Sequence, residues 1–200
     1  MTSDFFSGGF ENAPAQCASV FRAVLMATAR PGKEYEIPYK LRPPSLLSST
    51  TAAVVLSLVD QDTPLWLAPA LTNRHVNSYL NFHTQAPLVE DQASSTFGVF
   101  PSTQRPGLSD FSVGTIEYPD RSATLILQID ETAAPTTVCM EGPGIEHRLT
   151  LSLPGLDKDF WRFVQTNHQL YPRGLDFLFC LSDGIVACPR SSKVTIEGDQ

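Results

Sequence analysis

Lysine is scarce in this chain. Only Lys33, Lys40, Lys158 and Lys193 occur, none close to another in sequence. The formal net charge is −7 and the pI is about 5.0. No block of Lys or Arg offers a stripe that could track phosphates, so nucleic acid and anionic membrane surfaces are excluded as expected partners. Cysteine is equally sparse. Cys17, Cys139, Cys180 and Cys188 form no CxxC pair and no zinc-type spacing. Three of them lie in apolar runs, where a thiol acts as a small hydrophobe. All four are expected to be reduced core thiols in a cytoplasmic protein, with a catalytic cysteine as the alternative.

Other absences narrow the chemistry. The segment MTSDFFSGGFENAPAQ lacks a basic start and a continuous apolar run, so no signal peptide is expected. The longest apolar runs fall well short of the roughly 20 residues that span a bilayer. GxGxxG, P-loop, GxSxG, SxxK and HExxH patterns are missing. His75, His83, His147 and His168 never pair at i+3 or i+4, so no helical metal site forms by spacing.

What is present suits one folded domain. Residues are 42% hydrophobic over a length of 200, and a domain of this size buries roughly 70% of the surface its unfolded chain exposes. Residues 1–11, with Phe5, Phe6 and Phe10, read as a flexible arm; residues 12–200 read as a single domain. Asn12 caps a first helix with Pro14 in its first turn, and Cys17, Val20, Phe21, Val24, Leu25 and Thr28 form one apolar stripe. Pro31-Gly32 ends it. Thr51 to Val59 fits either a helix or a buried strand. Capping by Ser48 or Ser49 favours the helix, and β-branching argues for the strand. Leu65 to Leu67 is a short strand. Asn73 caps a helix through Phe82, with Val76, Tyr79, Leu80 and His83 on one side.

Phe97 to Phe100 is a strand, and Pro106 to Val113 a loop with one helical turn. ATLILQI, Ala123 to Ile129, is a strand apolar enough to be covered on both faces. Val138 to Glu141 and Arg148 to Leu153 are strands joined through Gly142-Pro143-Gly144. Asp157 to Leu170 is a helix with Phe160, Phe163 and Val164 inward. Finally, Phe177 to Leu181 and Ile185 to Cys188 flank Ser182-Asp183-Gly184, and an Asp-Gly pair between apolar runs signals a hairpin. Pro189 removes a ladder donor, so the second strand must end or lie at an edge there. Helices and strands mix throughout, which fits an α/β or α+β domain; the expectation is an α/β domain of three layers around one central mixed sheet.

Six residues are candidates for ligand or partner contact. Gly142 and Gly144 form the one glycine-rich turn after a strand; it reads as a strand-to-strand turn, with anion binding as the alternative. His83 and Thr84 sit at a helix C-terminus. There a histidine can bond the last carbonyls, or else meet a substrate or partner. Arg22 and Arg190 are expected to be semi-buried, where a guanidinium serves a salt bridge or, alternatively, a phosphate or carboxylate. Lys193, beside a strand-like segment, is an exposed lysine or a Schiff-base anchor.

Several segments in order resemble the PhnH family, the H subunit of the bacterial carbon–phosphorus lyase system. They are FRAVLMATARPG (Phe21 to Gly32), TAAVVLSLVDQDTPLWL (Thr51 to Leu67), NFHTQAPLV (Asn81 to Val89), Ala123 to Gln128, the Gly142 to Glu146 turn, Tyr171 to Asp176, and Ile185 to Val194. The resemblance implies a fold similar to a pyridoxal-phosphate-dependent transferase domain without a working cofactor site. It implies homodimers that join the G, I and J subunits of a phosphonate-degrading complex, assisted by an ATPase-like L subunit. From ATP and an alkylphosphonate that complex forms ribose 1-phosphonate 5-triphosphate and adenine. Glycosyl transfer is ascribed to the I subunit and radical iron–sulfur chemistry to J. The H family supplies no motif-defined catalytic residue, and neither cofactor nor metal is expected. Two other readings stay open: a free-standing pyridoxal-phosphate or phosphate-ligand enzyme anchored at Lys193, and a nucleotide or small-molecule sensor using Gly142, Gly144 and Arg190.

Overall fold

The computed structural model describes residues 7–198. In chain order the elements are α1 (Ala13–Ala29), β1 (Tyr35–Glu36), α2 (Ser49–Leu58), β2 (Leu65–Leu67), α3 (Arg74–Thr84), β3 (Leu88–Val89), β4 (Phe97–Pro101), β5 (Thr124–Gln128), β6 (Pro135–Glu141), β7 (Leu149–Pro154), α4 (Lys158–His168), β8 (Asp176–Cys180), β9 (Gly184–Cys188) and β10 (Lys193–Ile196). Seven strands form a mixed sheet in the order β1-β9-β8-β5-β4-β2-β3. β8, β5, β4, β2 and β3 run parallel, and β9 and β1 add antiparallel. The expected α/β class with a mixed central sheet is therefore present. A second sheet was not foreseen: β10-β6-β7, antiparallel throughout.

Alternation along the strands separates two cores. In β5, Leu125 and Leu127 face one side and Ile126 the other, all fully buried. In β8, Phe177 and Phe179 join the first side, Leu178 and Cys180 the second. This is the period of two expected of a strand covered on both faces. The first side is closed by α4 and the small sheet, the second by α1, α2 and α3.

α2 settles the helix-or-strand ambiguity. Ser48 Oγ accepts from Thr51 N at 3.1 Å, and Thr50 through Val55 are all buried. A helix apolar all round belongs inside a core, which is why its strip of Val and Ala also resembles a strand. Asn73 caps α3 by accepting from Val76 N at 2.8 Å, and Asp157 caps α4 by accepting from Phe160 N at 2.9 Å. The hairpin Phe177 to Cys188 forms as expected, and β9 ends before Pro189.

Four details correct the sequence reading. In α1 the buried stripe is Val20, Val24 and Ala27; Phe21 and Leu25, one position further round, are 44% and 51% exposed. Asn12 adopts the cap position without a side-chain cap bond. In α4, Trp161 is fully buried beside Phe160 and Val164, and Phe163 is half-buried. Only Cys180 and Cys188 are core thiols, both pushed up to about 12 chiefly by burial. Cys17 and Cys139 are half-buried: β6 turns Val138 and Met140 inward and so turns Cys139 out.

Of the expected arm, Phe5 and Phe6 lie outside the described residues. Gly8 O accepts from Arg42 N at 3.0 Å and from the Tyr79 hydroxyl at 3.2 Å. Phe10 meets Tyr39 edge-on at 6.3 Å.

Candidate functional site

Arg190 follows β9 and is held on all sides. Its backbone N–H donates to Asp176 Oδ1 at 2.8 Å, its Nε lies 3.1 Å from the same oxygen, and its Nη2 closes on Oδ2. Nη1 donates to Pro119 O at 2.6 Å. The two side chains are 15% and 25% exposed. A guanidinium so committed ties the N-terminal end of β8 to the 114–121 loop, which is the intramolecular salt bridge the sequence allowed. Arg22 is different: it stands exposed on α1 rather than semi-buried, because it lies on the helix face opposite Val20 and Val24.

The Gly142-Gly144 turn lies near Arg190 but is closed by backbone. Ile145 N donates to Gly142 O at 3.1 Å. Gly144 has φ +83°, and a side chain there would run into Ala29 O at the end of α1 and into Pro31; one on Gly142 would meet Ser191 O at 2.9 Å. The glycines let this turn pack against two other segments. Lys193 is exposed on β10, paired in register with Glu141. It lacks the desolvation that makes a lysine amine nucleophilic near neutral pH.

His83 does not cap the end of α3. Thr84 Oγ1 donates to Leu80 O at 2.8 Å and accepts from Ala86 N at 3.1 Å, and Gln85, at φ +57°, donates its N–H to Asn81 O. His83 instead packs against Tyr79 and Phe82, ring centroids 4.6 and 5.0 Å away. A Cβ on Gly9 would sit 2.5 Å from its Cε1, so any side chain there would push the ring aside. Nε2 is buried without a hydrogen-bond partner, and burial lowers the imidazole below its ordinary 6.5. The six candidates thus occupy separate places: α1, the α3 terminus, and the neighbourhood of Gly142 and Arg190.

A cleft that sequence reasoning missed lies where the carboxyl ends of β4 and β5 meet the small sheet. The chain just after β4, the β5–β6 turn, the β7–α4 turn and the first turn of α4 form its walls. Phe160, Leu156 and Leu108 line it, and Arg105 crosses it to Asp157, with Nη1–Oδ1 at 2.7 Å and Nη2–Oδ2 at 2.6 Å. That arginine holds the Asp157 carboxyl below its ordinary 3.8, with the N–H groups of Phe160 and Asp159 adding to the effect. The one local signal was the cap at Asp157. Among the described residues, no group of three or more His, Cys, Asp or Glu could hold a metal, and no helix is long and apolar enough to cross a membrane.

Comparison with known proteins covers nearly the whole chain. The family described as "Bacterial phosphonate metabolism protein (PhnH)" matches residues 8–195. The chain is 32% identical over 196 residues to the alpha-D-ribose 1-methylphosphonate 5-triphosphate synthase subunit PhnH of Rhizobium meliloti (strain 1021), covering 98% of each. It is 23% identical over 86 residues to a putative C-P lyase subunit protein, HtxG, of Stutzerimonas stutzeri, covering 43% of this chain and 44% of that protein.

Proposed function

The chain belongs to the PhnH family of bacterial phosphonate metabolism proteins, and from that membership we propose that it is the H subunit of a carbon–phosphorus lyase complex. In that role it supports formation of ribose 1-alkylphosphonate 5-triphosphate from ATP and an alkylphosphonate without itself making or breaking bonds. The observation that carries the reading is end-to-end similarity, 98% of both chains, to a protein named as a subunit of the corresponding synthase. Full coverage matters because a subunit's surfaces are spread over the whole fold.

The finer points of the proposal are these. The subunit forms a homodimer and joins the G, I and J subunits in the cytoplasm. Its fold is that of a pyridoxal-phosphate-dependent transferase whose cofactor site no longer works. The exposed Lys193 and the internally committed Arg190 support a non-catalytic role. Large apolar side chains left on the surface support a life in an assembly: Ile116 is 75% exposed, Tyr171 61% and Leu25 51%. Two buried thiols are compatible with a reducing compartment.

The test is co-purification. The tagged chain, expressed together with its G, I and J neighbours, should elute with all three at fixed stoichiometry, and leaving it out should abolish synthase activity of the remainder. A chain that never leaves the column with them ends the proposal.

A further inference from the structure

Residues 7–10 cross the C-terminal end of α3 as a strap that belongs to no helix or strand. Its first anchor is Gly8 O, which accepts from Arg42 N at 3.0 Å and from the Tyr79 hydroxyl at 3.2 Å. Its second is Phe10, edge-on to Tyr39 at 6.3 Å. Between them Gly9 lies against the His83 ring. A Cβ built on Gly9 would stand 2.5 Å from Cε1, 2.9 Å from Nδ1 and 3.1 Å from Nε2. Glycine thus lets the backbone approach the edge of the ring that carries both nitrogens. A space of about 450 Å³ lies between residues 7–11 and residues 38–42.

This contact depends on the charge of the ring. Nε2 is buried and has no hydrogen-bond partner. A neutral imidazole can leave that nitrogen as a bare acceptor. The imidazolium carries a proton on both nitrogens and would hold a charged donor there with nothing to receive it. The described surroundings offer no carboxylate to Nε2. Ser7 to Phe10 have no ionisable side chain, and Glu11 beyond them is exposed. Across the Gly8 bond stand Lys40, which pairs with Asp183, and Arg42, which is exposed. On α3, Tyr79 and Phe82 flank the ring, Arg74 and His75 lie more than two turns away, and Gln85 to Leu88 carry no charge. Burial accordingly lowers the imidazole below its ordinary 6.5.

Relief can come from the ring or from the strap. The ring is hemmed in by its own helix, with Tyr79 and Phe82 centroids 4.6 and 5.0 Å away. The strap is the lighter partner, since water can replace both bonds to Gly8 O when it lifts. We propose that residues 7–10 are a proton-operated strap: protonation of His83 lifts Gly8 and Gly9 off the end of α3 while the rest of the fold stays intact. Lifting gives Nε2–H to water and uncovers the Tyr79 hydroxyl, on a side chain only 1% exposed when the strap is shut. Closing the strap and binding the proton oppose one another, so the strap is shut at neutral pH and opens on acidification. Openings of this local kind need far less free energy than global unfolding. The inference does not depend on whether the chain joins a complex.

The test is an acid titration of the whole chain followed by NMR. The His83 Cε1 proton reports protonation, and ¹⁵N relaxation of the Gly8 and Gly9 amides reports the strap. Both should change with one shared midpoint below 6.5, at an unchanged far-UV circular dichroism spectrum. His83→Phe keeps a packed ring without the proton, and its strap should stay ordered over the same range. Tyr79→Phe removes one of the two bonds to Gly8 O, so closure should weaken roughly fivefold and both midpoints should rise together toward 6.5. That shared rise decides alone if His83→Phe does not fold. The proposal is overturned if Gly8 and Gly9 stay ordered once His83 is protonated, or if they loosen equally in His83→Phe. It is also overturned if the two midpoints part in Tyr79→Phe, or if the strap is lost only together with the whole fold.

Discussion

Arg105 and Asp157 are 52 residues apart in sequence and meet as a two-pronged pair, with Nη1–Oδ1 at 2.7 Å and Nη2–Oδ2 at 2.6 Å, while the same carboxylate caps α4. The pair fastens the loop after β4 to the start of a helix that closes one core.

Substituting Asp157 separates these two roles. Asp157→Asn keeps a cap-competent oxygen and should cost less than about 1 kcal/mol at pH 7, since the carboxylate is 59% exposed and solvent screens it. Asp157→Ala loses the cap as well and should cost about 1 kcal/mol more. The folded carboxyl is depressed below its ordinary 3.8. Its contribution is therefore fully present above that value and lost as pH falls through the folded one. Urea midpoints of wild type and Asp157→Asn should converge on acidification; a gap that widens would contradict this.

His83 also loses stability on acidification, over a higher pH range and because burial disfavours its charged form rather than because a partner favours it. Burial disfavours its charged form, so the unfolded chain binds the proton more readily than the folded one. Stability from the neutral ring is present above 6.5 and declines as pH falls from there toward the lowered folded value. His83→Phe should flatten that part of the stability–pH curve, and the His83 Cε1 proton should titrate below 6.5 by NMR. Gly9→Ala should disturb the same ring and cost on the order of 1–3 kcal/mol by overpacking.

Two ion pairs should respond very differently. Arg190 and Asp176 are largely buried, and Arg190→Met leaves Asp176 Oδ2 and Pro119 O without their donors while Oδ1 keeps the backbone N–H, so a loss of roughly 3 kcal/mol is expected. Arg190→Lys cannot reproduce the fork and should recover only part of it. Lys40 and Asp183 are 60% and 72% exposed, and Lys40→Met should change stability by less than about 1 kcal/mol. Chemical denaturation ranks the three variants; equal effects would refute the burial argument.

Thiol reactivity should divide the cysteines. Cys180 and Cys188 are buried and pushed up to about 12, so the reactive thiolate is rare at neutral pH. Mass spectrometry after iodoacetamide at pH 8 should find Cys139 labelled first and Cys180 and Cys188 only after unfolding. Cys17, raised by burial, should be slower than Cys139.

Much of the fold was legible because it is written locally. Ser48, Asn73 and Asp157 each cap the helix that follows, and the Asp183-Gly184 turn sets the hairpin. β10 showed only as a strand-like segment beside Lys193, and its place in a second sheet was not legible because Lys193 to Ile196 is short and pairs with a distant partner, β6. In α1, residue size misled: the small Ala27 is buried and the large Phe21 is not, since burial follows helix phase and the room left by neighbours. Arg190 read correctly as a salt-bridge arginine, but its partner Asp176 lies on the other strand of the hairpin. The cleft was invisible because its walls come from four separated segments, none of which carries a motif.

The alternation of β5 divides the labour of consecutive letters. Which substitutions Ile126 tolerates is decided by the helices on its side, and which Leu127 tolerates by an aromatic cluster it shares with α4. Two adjacent codons thus answer to different neighbourhoods, and either half of the molecule can drift in evolution while the other stays fixed, so long as the strand between them keeps its register.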